Sequence, residues 1–313
     1  MKTAFLFPGQ GAQVVGMGAD VAEAFGAAKD IFSRANDIVG FDLRKVCFEG
    51  PGEELNTTTM SQPAIFTVSA AILEVLRTED ATSAIVPDVA AGLSLGEYTA
   101  LYAAGCISFE DGLKLVQKRG AAMQAAADAT EGAMVSIIGL DEEKVGQLCE
   151  EAGQGELLKG VNYNCPGQIV VSGTVPACER AAELAEKYGA MKAVKLEVAG
   201  AFHTEMMDSA AKALGDALAE AGVSAPSNIS VIANVEAGYY QDADQIRSGL
   251  VRQLTSAILW QKCMERLLVE GFERFYEIGP GRVLTGLMKR INRKMKVVNV
   301  SNAKAIADLA QVG

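Results

Sequence analysis

The most informative stretch of the chain is Ala90-Ala91-Gly92-Leu93-Ser94-Leu95-Gly96-Glu97-Tyr98. Its Gly-x-Ser-x-Gly pattern has the form of a nucleophile elbow, a sharp turn between a strand and a helix that holds a serine hydroxyl clear of the backbone. Glycine at both flanking positions lets neighbouring backbone approach closely, because it has no Cβ. The apolar residues 84–91 predict a short buried strand before the turn, and residues 95–104 predict a helix after it. Ser94 is therefore a candidate nucleophile at a helix N-terminus, whose positive end would stabilise an oxyanion.

The composition is typical of a soluble globular protein, since 50% of the 313 residues are hydrophobic and 21% are charged. The net charge of −11 argues against nucleic acid as the main partner. No apolar run approaches the ~18 residues needed to cross a bilayer, and the apolar run after Met1 is too short for a signal peptide, so no membrane partner is expected. The six cysteines form no Cys-x-x-Cys pair, which favours reduced thiols and a cytoplasmic location.

The order of predicted strands and helices indicates an α/β protein with an inserted unit. Residues 3–7 predict a strand that ends in a glycine-rich turn, residues 8–13, at the sheet edge where open α/β folds place ligands. Between residues 128 and 198 the pattern changes to βαββαβ, the order of a ferredoxin-like unit. We therefore predict a larger α/β-hydrolase-like core with a mainly parallel sheet, made of residues 1–127 and 199–313, and an inserted ferredoxin-like subdomain at residues 128–198.

Ser94 needs a general base, and the only histidine of the chain is His203. It follows the insert, so serine precedes histidine as in α/β-hydrolases. No aspartate or glutamate between them stands out as the third member of a triad, so a dyad in which a backbone carbonyl orients the imidazole is equally consistent with the sequence. A single histidine also excludes a multi-histidine metal site, so no metal is expected.

Arg119 lies on a long helix predicted over residues 109–127. One interpretation is a solvated arginine on the helix surface. The other is a bidentate clamp for a substrate carboxylate, which the planar guanidinium suits better than a lysine does.

Taken in order, the motifs of the chain resemble those of malonyl-CoA:acyl-carrier-protein transacylases and of the acyltransferase domains of polyketide and fatty-acid synthases. They extend over nearly the whole chain, which makes the set far more specific than any single motif. The matching motifs are Phe7-Pro8-Gly9-Gln10-Gly11-Ala12-Gln13, Gln62-Pro63-Ala64, Gly92-x-Ser94-Leu95-Gly96-Glu97, Gln117-x-Arg119-Gly120, Asn164-x-Pro166-Gly167-Gln168, Ala201-Phe202-His203-Thr204, Gln253-Leu254 and Glu277-Ile278-Gly279-Pro280-Gly281.

The resemblance implies a ping-pong transfer of a malonyl group from malonyl-CoA to the phosphopantetheine thiol of acyl carrier protein, for fatty-acid or polyketide chain extension. Ser94 would attack the malonyl thioester while His203 accepts its proton, and the backbone N–H groups of Gln10 and Leu95 would hold the oxyanion. No cofactor is implied beyond the phosphopantetheine that the partner carries, and a monomer is expected. A serine thioesterase or hydrolase that uses the same dyad and releases malonate to water is the alternative.

The resemblance also implies roles for three further residues. Arg119 would pair with the free carboxylate of malonate, Gln253 would lie near the carbonyl that orients the histidine, and Asn164 would line the cleft between the two subdomains. One position departs from the family, because Leu93 stands where a histidine usually precedes the nucleophile. This leucine predicts a drier pocket with altered acyl selectivity or rate, whereas Phe202 matches the malonyl-preferring form of its motif.

Acyl carrier proteins are typically acidic, so a docking face on this acidic chain would need local positive charge. Two clusters of lysine and arginine are candidates, although each is also typical of a solvated surface. They comprise Lys289, Arg290, Arg293, Lys294 and Lys296, and on the insert Lys187, Lys192 and Lys195.

Overall fold

The computed structural model describes residues 1–311 as an α/β chain with two separate sheets. Its strands are β1 (Lys2–Phe7), β2 (Val89–Gly92), β3 (Gly132–Ile138), β4 (Leu158–Cys165), β5 (Gln168–Thr174), β6 (Lys192–Lys195), β7 (Ser230–Ile232), β8 (Phe272–Ile278) and β9 (Val297–Val300). Its helices are α1 (Ala19–Ala24), α2 (Gly26–Val39), α3 (Leu43–Glu49), α4 (Gly52–Leu55), α5 (Thr58–Thr78), α6 (Gly96–Ala103), α7 (Phe109–Asp128), α8 (Glu142–Gly153), α9 (Val175–Leu184), α10 (Asp208–Glu220), α11 (Ala243–Gln253), α12 (Trp260–Val269), α13 (Val283–Ile291) and α14 (Ala303–Ala310). A short 3₁₀ helix, Glu205–Met207, directly precedes α10.

The larger sheet is parallel throughout, with the strand order β7-β2-β1-β8-β9. Its two faces are both buried, as is usual for parallel sheets. Phe5 and Phe7 of β1 pack on one face among residues of α2, α5 and α7, while Ala4 and Leu6 pack on the other among residues of α12 and α13. Phe7 also pairs with Gly92 at the end of β2, so the loops that follow the two strands are neighbours. The predicted parallel sheet is confirmed.

The smaller sheet is antiparallel and separate, with the strand order β4-β5-β3-β6. Helices α8 and α9 lie between its strands in the chain and share a small apolar core with them. This unit also contacts the rest of the protein through its backbone, since Ile258 N donates to Val161 O over 2.7 Å and Tyr163 N donates to Ile258 O over 3.0 Å. The boundaries at residues 128 and 198 stay a prediction.

Helix α5 differs from the expectation at its start. The sequence predicts a helix over residues 65–76 with Pro63 in its first turn, but α5 begins at Thr58, so Pro63 lies inside it. A proline there removes one backbone donor, and the surrounding helix tolerates this loss because most of it is packed in the core. By length and composition α5 could cross a membrane, contrary to the expectation from the sequence. However, 83% of its apolar 18-residue stretch is buried inside the protein.

Strand β2 is shorter than predicted, because only Val89–Gly92 of residues 84–91 is paired. Pro87 has no N–H to donate to a neighbouring strand, and the chain before it is held in a turn by Thr82, whose hydroxyl donates to the carbonyl of Leu76 over 3.0 Å. Helices α1, α3, α4 and α14 were not expected from periodicity. Each has at most eight residues, too few turns for an apolar repeat to stand out.

Replacing Gly96 by alanine is expected to lower the free energy of unfolding by more than about 2 kcal/mol. The added Cβ would lie 2.1 Å from the carbonyl oxygen of Phe7, a backbone atom of the central strand that cannot move aside. Urea unfolding followed by circular dichroism measures the change. The control is Gly146→Ala, at an exposed position of α8 with no atom within 4 Å of the new Cβ, where alanine should stabilise by about 0.5–1 kcal/mol. Equal stability of Gly96→Ala and the unsubstituted protein would contradict the close packing.

Candidate active site

Ser94 lies at the sharp turn between β2 and α6. Its φ of 50° falls in the left-handed region, which residues other than glycine rarely adopt. A Cβ on Gly92 would come within 1.9 Å of the Gly96 carbonyl group, so the turn can close only around glycine. Asn234 supports the turn from below, since its Oδ1 accepts from Ser94 N and its Nδ2 donates to Gly92 O, each over 2.7 Å. The turn is thus a strained but well-supported nucleophile elbow.

The glycine-rich turn after β1 packs directly against this elbow. A Cβ on Gly9 would lie 2.2 Å from the carbonyl oxygen of Leu93. Gln10, the next residue, lines the same cavity as Ser94. The backbone N–H groups of Gln10 and Leu95 donate no hydrogen bond within residues 1–311. Two backbone donors without a partner in residues 1–311 therefore belong to the elbow and to the turn packed against it.

His203 contacts the hydroxyl of Ser94, with its Nε2 3.1 Å from the serine Oγ. Its Nδ1 is 2.7 Å from the backbone carbonyl oxygen of Gln253. Because a carbonyl only accepts, Nδ1 carries the proton and Nε2 is free to accept from the serine hydroxyl. Of the two arrangements consistent with the sequence, the structure therefore has the dyad, in which a backbone carbonyl orients the imidazole.

Burial lowers the pKa of His203 from 6.5 to about 4. The residue is 3% exposed, so the imidazolium form loses its hydration, and the positive charge of Arg119 disfavours it further. The hydrogen bond to the Gln253 carbonyl favours the charged form and opposes this shift only in part. His203 is consequently neutral at pH 7 and able to accept a proton.

Arg119 is a cation in the interior of the protein, with 1% of its surface exposed. Its Nη1 donates to Gln62 Oε1 over 2.8 Å. Its Nη2 donates to Ser94 Oγ and to Gln253 Oε1, each over 3.0 Å. All three acceptors are neutral, and among the residues that the structure describes no carboxylate forms an ion pair with it. Burial lowers the pKa of this guanidinium, whose charge has no direct counter-ion.

A buried carboxylate, Glu97, lies beneath the elbow in the first turn of α6. Its Oε1 accepts from the hydroxyl of Tyr240, and its Oε2 accepts from Gln253 Nε2 over 2.9 Å and from Asn234 N over 3.1 Å. Burial raises the pKa of Glu97 to about 7, although these hydrogen bonds oppose the shift. Sequence reasoning missed both Glu97 and Asn234 as site residues. The available signal for Asn234 was its position just beyond a strand of the parallel sheet, where such folds collect functional side chains.

The reacting groups open into one cavity of about 530 Å³, a size typical of small-molecule sites. Leu93, Met123 and Phe202 give it apolar walls. Asn164, expected at the cleft, is buried on β4 and is not among the lining residues, whereas Asn162 of the same strand does line the cavity. The register of β4 against β5 shifts on both sides of this point, so simple alternation does not decide which side chain faces inward.

The basic residues expected to dock a partner differ in whether their side chains already contact other residues of the protein. Arg290 donates to Gln168 Oε1 over 3.1 Å and so links α13 to the first residue of β5. Lys187 forms an ion pair with Glu151 over 2.6 Å. Lys195 lines the cavity that contains Ser94, and 64% of its side chain is exposed.

Residues 4–310 match the model of the acyl transferase domain family. The chain belongs to this family. It is 44% identical to the malonyl CoA-acyl carrier protein transacylase of Bacillus subtilis (strain 168), over 97% of this chain and 95% of that protein. It is 41% identical to the protein of the same name from Escherichia coli (strain K12), over 97% of each.

Solved structures of acyl transferase domain proteins share the whole fold. An acyl carrier protein S-malonyltransferase from Vibrio cholerae matches with a TM-score of 0.92 and 42% identity, over 99% of this chain and all of that one. The malonyl-transacylase solved in complex with a type II PKS acyl-carrier protein matches with a TM-score of 0.95 and 39% identity, over 100% of both chains. These matches confirm the predicted family.

We expect Ser94 to react with a fluorophosphonate at a rate that is nearly constant from about pH 8 to about pH 5 and that falls as the pH drops through about 4. His203 accepts the serine proton only while neutral, and its lowered pKa keeps it neutral over that range. Intact mass spectrometry measures labelling, Ser94→Ala is the control, and circular dichroism verifies the fold at each pH. A half-maximal rate near 6.5, the ordinary pKa of histidine, would contradict this expectation.

Proposed function

We propose that the protein is an [acyl-carrier-protein] S-malonyltransferase, which moves a malonyl group from malonyl-CoA to the phosphopantetheine thiol of acyl carrier protein through a malonyl-serine intermediate. The observation that carries the proposal is the contact of one hydroxyl, Ser94 Oγ, with both the His203 imidazole and the buried Arg119 guanidinium. A nucleophile, a base and a cation without a counter-ion thus meet at one point. The full-length relatives named malonyl CoA-acyl carrier protein transacylases support the same reaction.

In the first half-reaction, Ser94 Oγ attacks the thioester carbonyl carbon of malonyl-CoA while its proton passes to His203 Nε2. The hydrogen bond from Nδ1 to the Gln253 carbonyl holds the ring in the required tautomer and stabilises the imidazolium that forms. The tetrahedral intermediate collapses by cleavage of the carbon–sulfur bond, and His203 returns the proton to the departing CoA sulfur. The products are free CoA thiol and a malonyl ester on Ser94.

The oxyanion of the tetrahedral intermediate would be held by the backbone N–H groups of Gln10 and Leu95. Both donors lack an acceptor within residues 1–311, and the packing of Gly9 on Leu93 brings the turn that carries Gln10 against the elbow that carries Leu95. Leu95 also immediately precedes α6, so the positive end of that helix faces the developing charge. Pre-positioned donors of this kind typically contribute about 3–4 kcal/mol each to transition-state stabilisation.

The second half-reaction is the reverse chemistry with a different thiol. The phosphopantetheine thiol of acyl carrier protein gives its proton to His203, its sulfur attacks the ester carbonyl, and Ser94 Oγ leaves with the proton that His203 returns. The enzyme needs no cofactor of its own for either step.

Arg119 would select an acyl group that ends in a carboxylate. A buried cation without a counter-ion is costly, and the free carboxylate of malonate would supply the missing charge. Each Nη atom carries two N–H groups, and Nη1 uses only one of them, on Gln62, so a donor remains for the substrate. Acetyl-CoA offers no negative charge at this position. Leu93 lines the same cavity, and we propose that it makes the pocket drier than a histidine would.

A serine thioesterase could use the same dyad with water as the acceptor. Transfer is favoured because the relatives are named transacylases and one is described in complex with an acyl-carrier protein. We propose that such a protein docks here too, with Lys195 at the cavity and the other basic residues of the two clusters around it. The enzyme would act as a cytoplasmic monomer.

We also propose the finer description of the fold. A parallel sheet with the elbow after β2 supports an α/β-hydrolase-like core over residues 1–127 and 199–313. The order β3-α8-β4-β5-α9-β6 supports a ferredoxin-like insert over residues 128–198.

Intact mass spectrometry tests the reaction. Mixed with malonyl-CoA, the protein should gain the mass of one malonyl group, Ser94→Ala should gain none, and holo acyl carrier protein should remove the group and become malonylated itself. The apo carrier protein, which lacks the thiol, is the matched control and should leave the adduct in place. No adduct, or loss of the adduct to water at the same rate with either carrier, would defeat the proposal.

Replacing Arg119 by alanine should lower kcat/KM for malonyl-CoA by about a hundredfold or more, because the carboxylate loses a buried charged partner. The value for acetyl-CoA should change far less, so the preference between the two substrates collapses. Arg119→Lys keeps the charge but not the two-pronged geometry and should fall between. Stopped-flow measurement of CoA release gives kcat/KM for malonyl-CoA and for acetyl-CoA. An equal fall in kcat/KM for the two substrates would argue against the carboxylate clamp.

A further inference from the structure

We infer that Glu97 is a positioning residue for this reaction, because its carboxylate fixes the orientation of the Gln253 amide and the place of Asn234, and through them the contacts of Arg119 and Ser94. The inference rests on the proposed function. Glu97 is 1% exposed and touches neither Ser94 Oγ nor the imidazole, so any effect on the reaction passes through its neighbours.

The Gln253 amide is the first of these neighbours. Its Nε2 donates to Glu97 Oε2 over 2.9 Å and to Ser94 O over 3.1 Å, while its Oε1 accepts from Arg119 Nη2 over 3.0 Å. A carboxylate only accepts and a guanidinium only donates, so one orientation of the amide satisfies both. The flipped amide would set its oxygen against the carboxylate and its NH₂ group against the guanidinium. Glu97 and the carbonyl oxygen of Ser94 therefore both favour the orientation in which Arg119 meets an acceptor.

Asn234 is the second neighbour. Its backbone N–H donates to Glu97 Oε2 over 3.1 Å, and its side chain holds the elbow at Ser94 N and Gly92 O. The same carboxylate oxygen thus fixes the residue that supports the strained turn. Through Gln253 and Asn234, Glu97 influences Arg119 and Ser94, although its carboxylate forms no hydrogen bond with either side chain.

The test compares two substitutions of Glu97. Glu97→Met keeps the length of the side chain but removes both acceptors, and it should slow formation of the malonyl-serine adduct by about tenfold to a hundredfold. It should also lower the preference for malonyl-CoA over acetyl-CoA by about tenfold, since Arg119 loses its oriented partner. Glu97→Gln should stay within a few-fold of the unsubstituted enzyme. Its oxygen can accept from Gln253 and Asn234 while its NH₂ group faces the Tyr240 hydroxyl, which can switch from donor to acceptor.

The substrate preference separates positioning from a loss of folded protein, because partial unfolding lowers both substrates alike. Tyr240→Phe is the matched control, since it removes one donor from the same carboxylate and leaves Gln253 and Asn234 in place, and its substrate preference should match the unsubstituted enzyme. The double variant Glu97→Met/Gln253→Met should lose no more of the preference for malonyl-CoA over acetyl-CoA than Gln253→Met alone, because the route through Asn234 affects both substrates alike. Additive losses would overturn the route through Gln253.

If Glu97→Met does not fold, Gln253→Met decides the question, because it removes the amide but keeps the carbonyl that orients His203. An unchanged substrate preference in that variant would overturn the inference, as would a loss in Glu97→Gln as large as in Glu97→Met. A failure of the proposed function looks different, since the unsubstituted protein would then form no malonyl adduct at all.

Discussion

The close packing of backbone at Gly92 and Gly96 is the constraint on which the whole site depends. A Cβ at Gly96 would lie 2.1 Å from the carbonyl oxygen of Phe7, so β1, β2 and α6 meet with no side chain between them. This approach holds Ser94 at a φ of 50°, a conformation that a free loop would not keep. Asn234, which lies just beyond the neighbouring strand β7, stabilises this conformation through its side chain. The packing of the sheet against α6 therefore determines where the nucleophile lies.

A second constraint concerns a guanidinium and a carboxyl group that are both buried. Arg119 and Glu97 each contact the Gln253 amide, one at its oxygen and the other at its nitrogen. A direct ion pair between them would satisfy both charges, but it would also occupy the guanidinium that the substrate carboxylate needs. The amide keeps the charges apart and still gives each a partner. The protein thereby keeps a buried cation available for binding at a cost in desolvation.

What the sequence can predict depends on how local the signal is. The alternation of strands and helices is local and predicts both sheets, and Ser94 and His203 each belong to a short motif. Glu97 and Asn234 meet across 137 positions of the chain, a separation at which periodicity carries no information. In β4 the shifts of register break the period of two, so Asn162 rather than the expected asparagine lines the cavity. The motifs of the sequence therefore indicate the candidate reacting groups and Gln253, but not the supporting roles of Glu97 and Asn234.

Leu93, directly before the nucleophile, contributes its backbone and its side chain to different parts of the structure. The fold uses its backbone, since Leu93 N donates to Phe7 O over 3.1 Å and its carbonyl packs against Gly9. Its side chain joins the apolar cluster on the far face of the sheet and contributes to the cavity wall. Neither contact reaches the hydrogen bonds of the dyad. The elbow therefore depends on the backbone of residue 93, whereas the polarity of the pocket depends on its side chain.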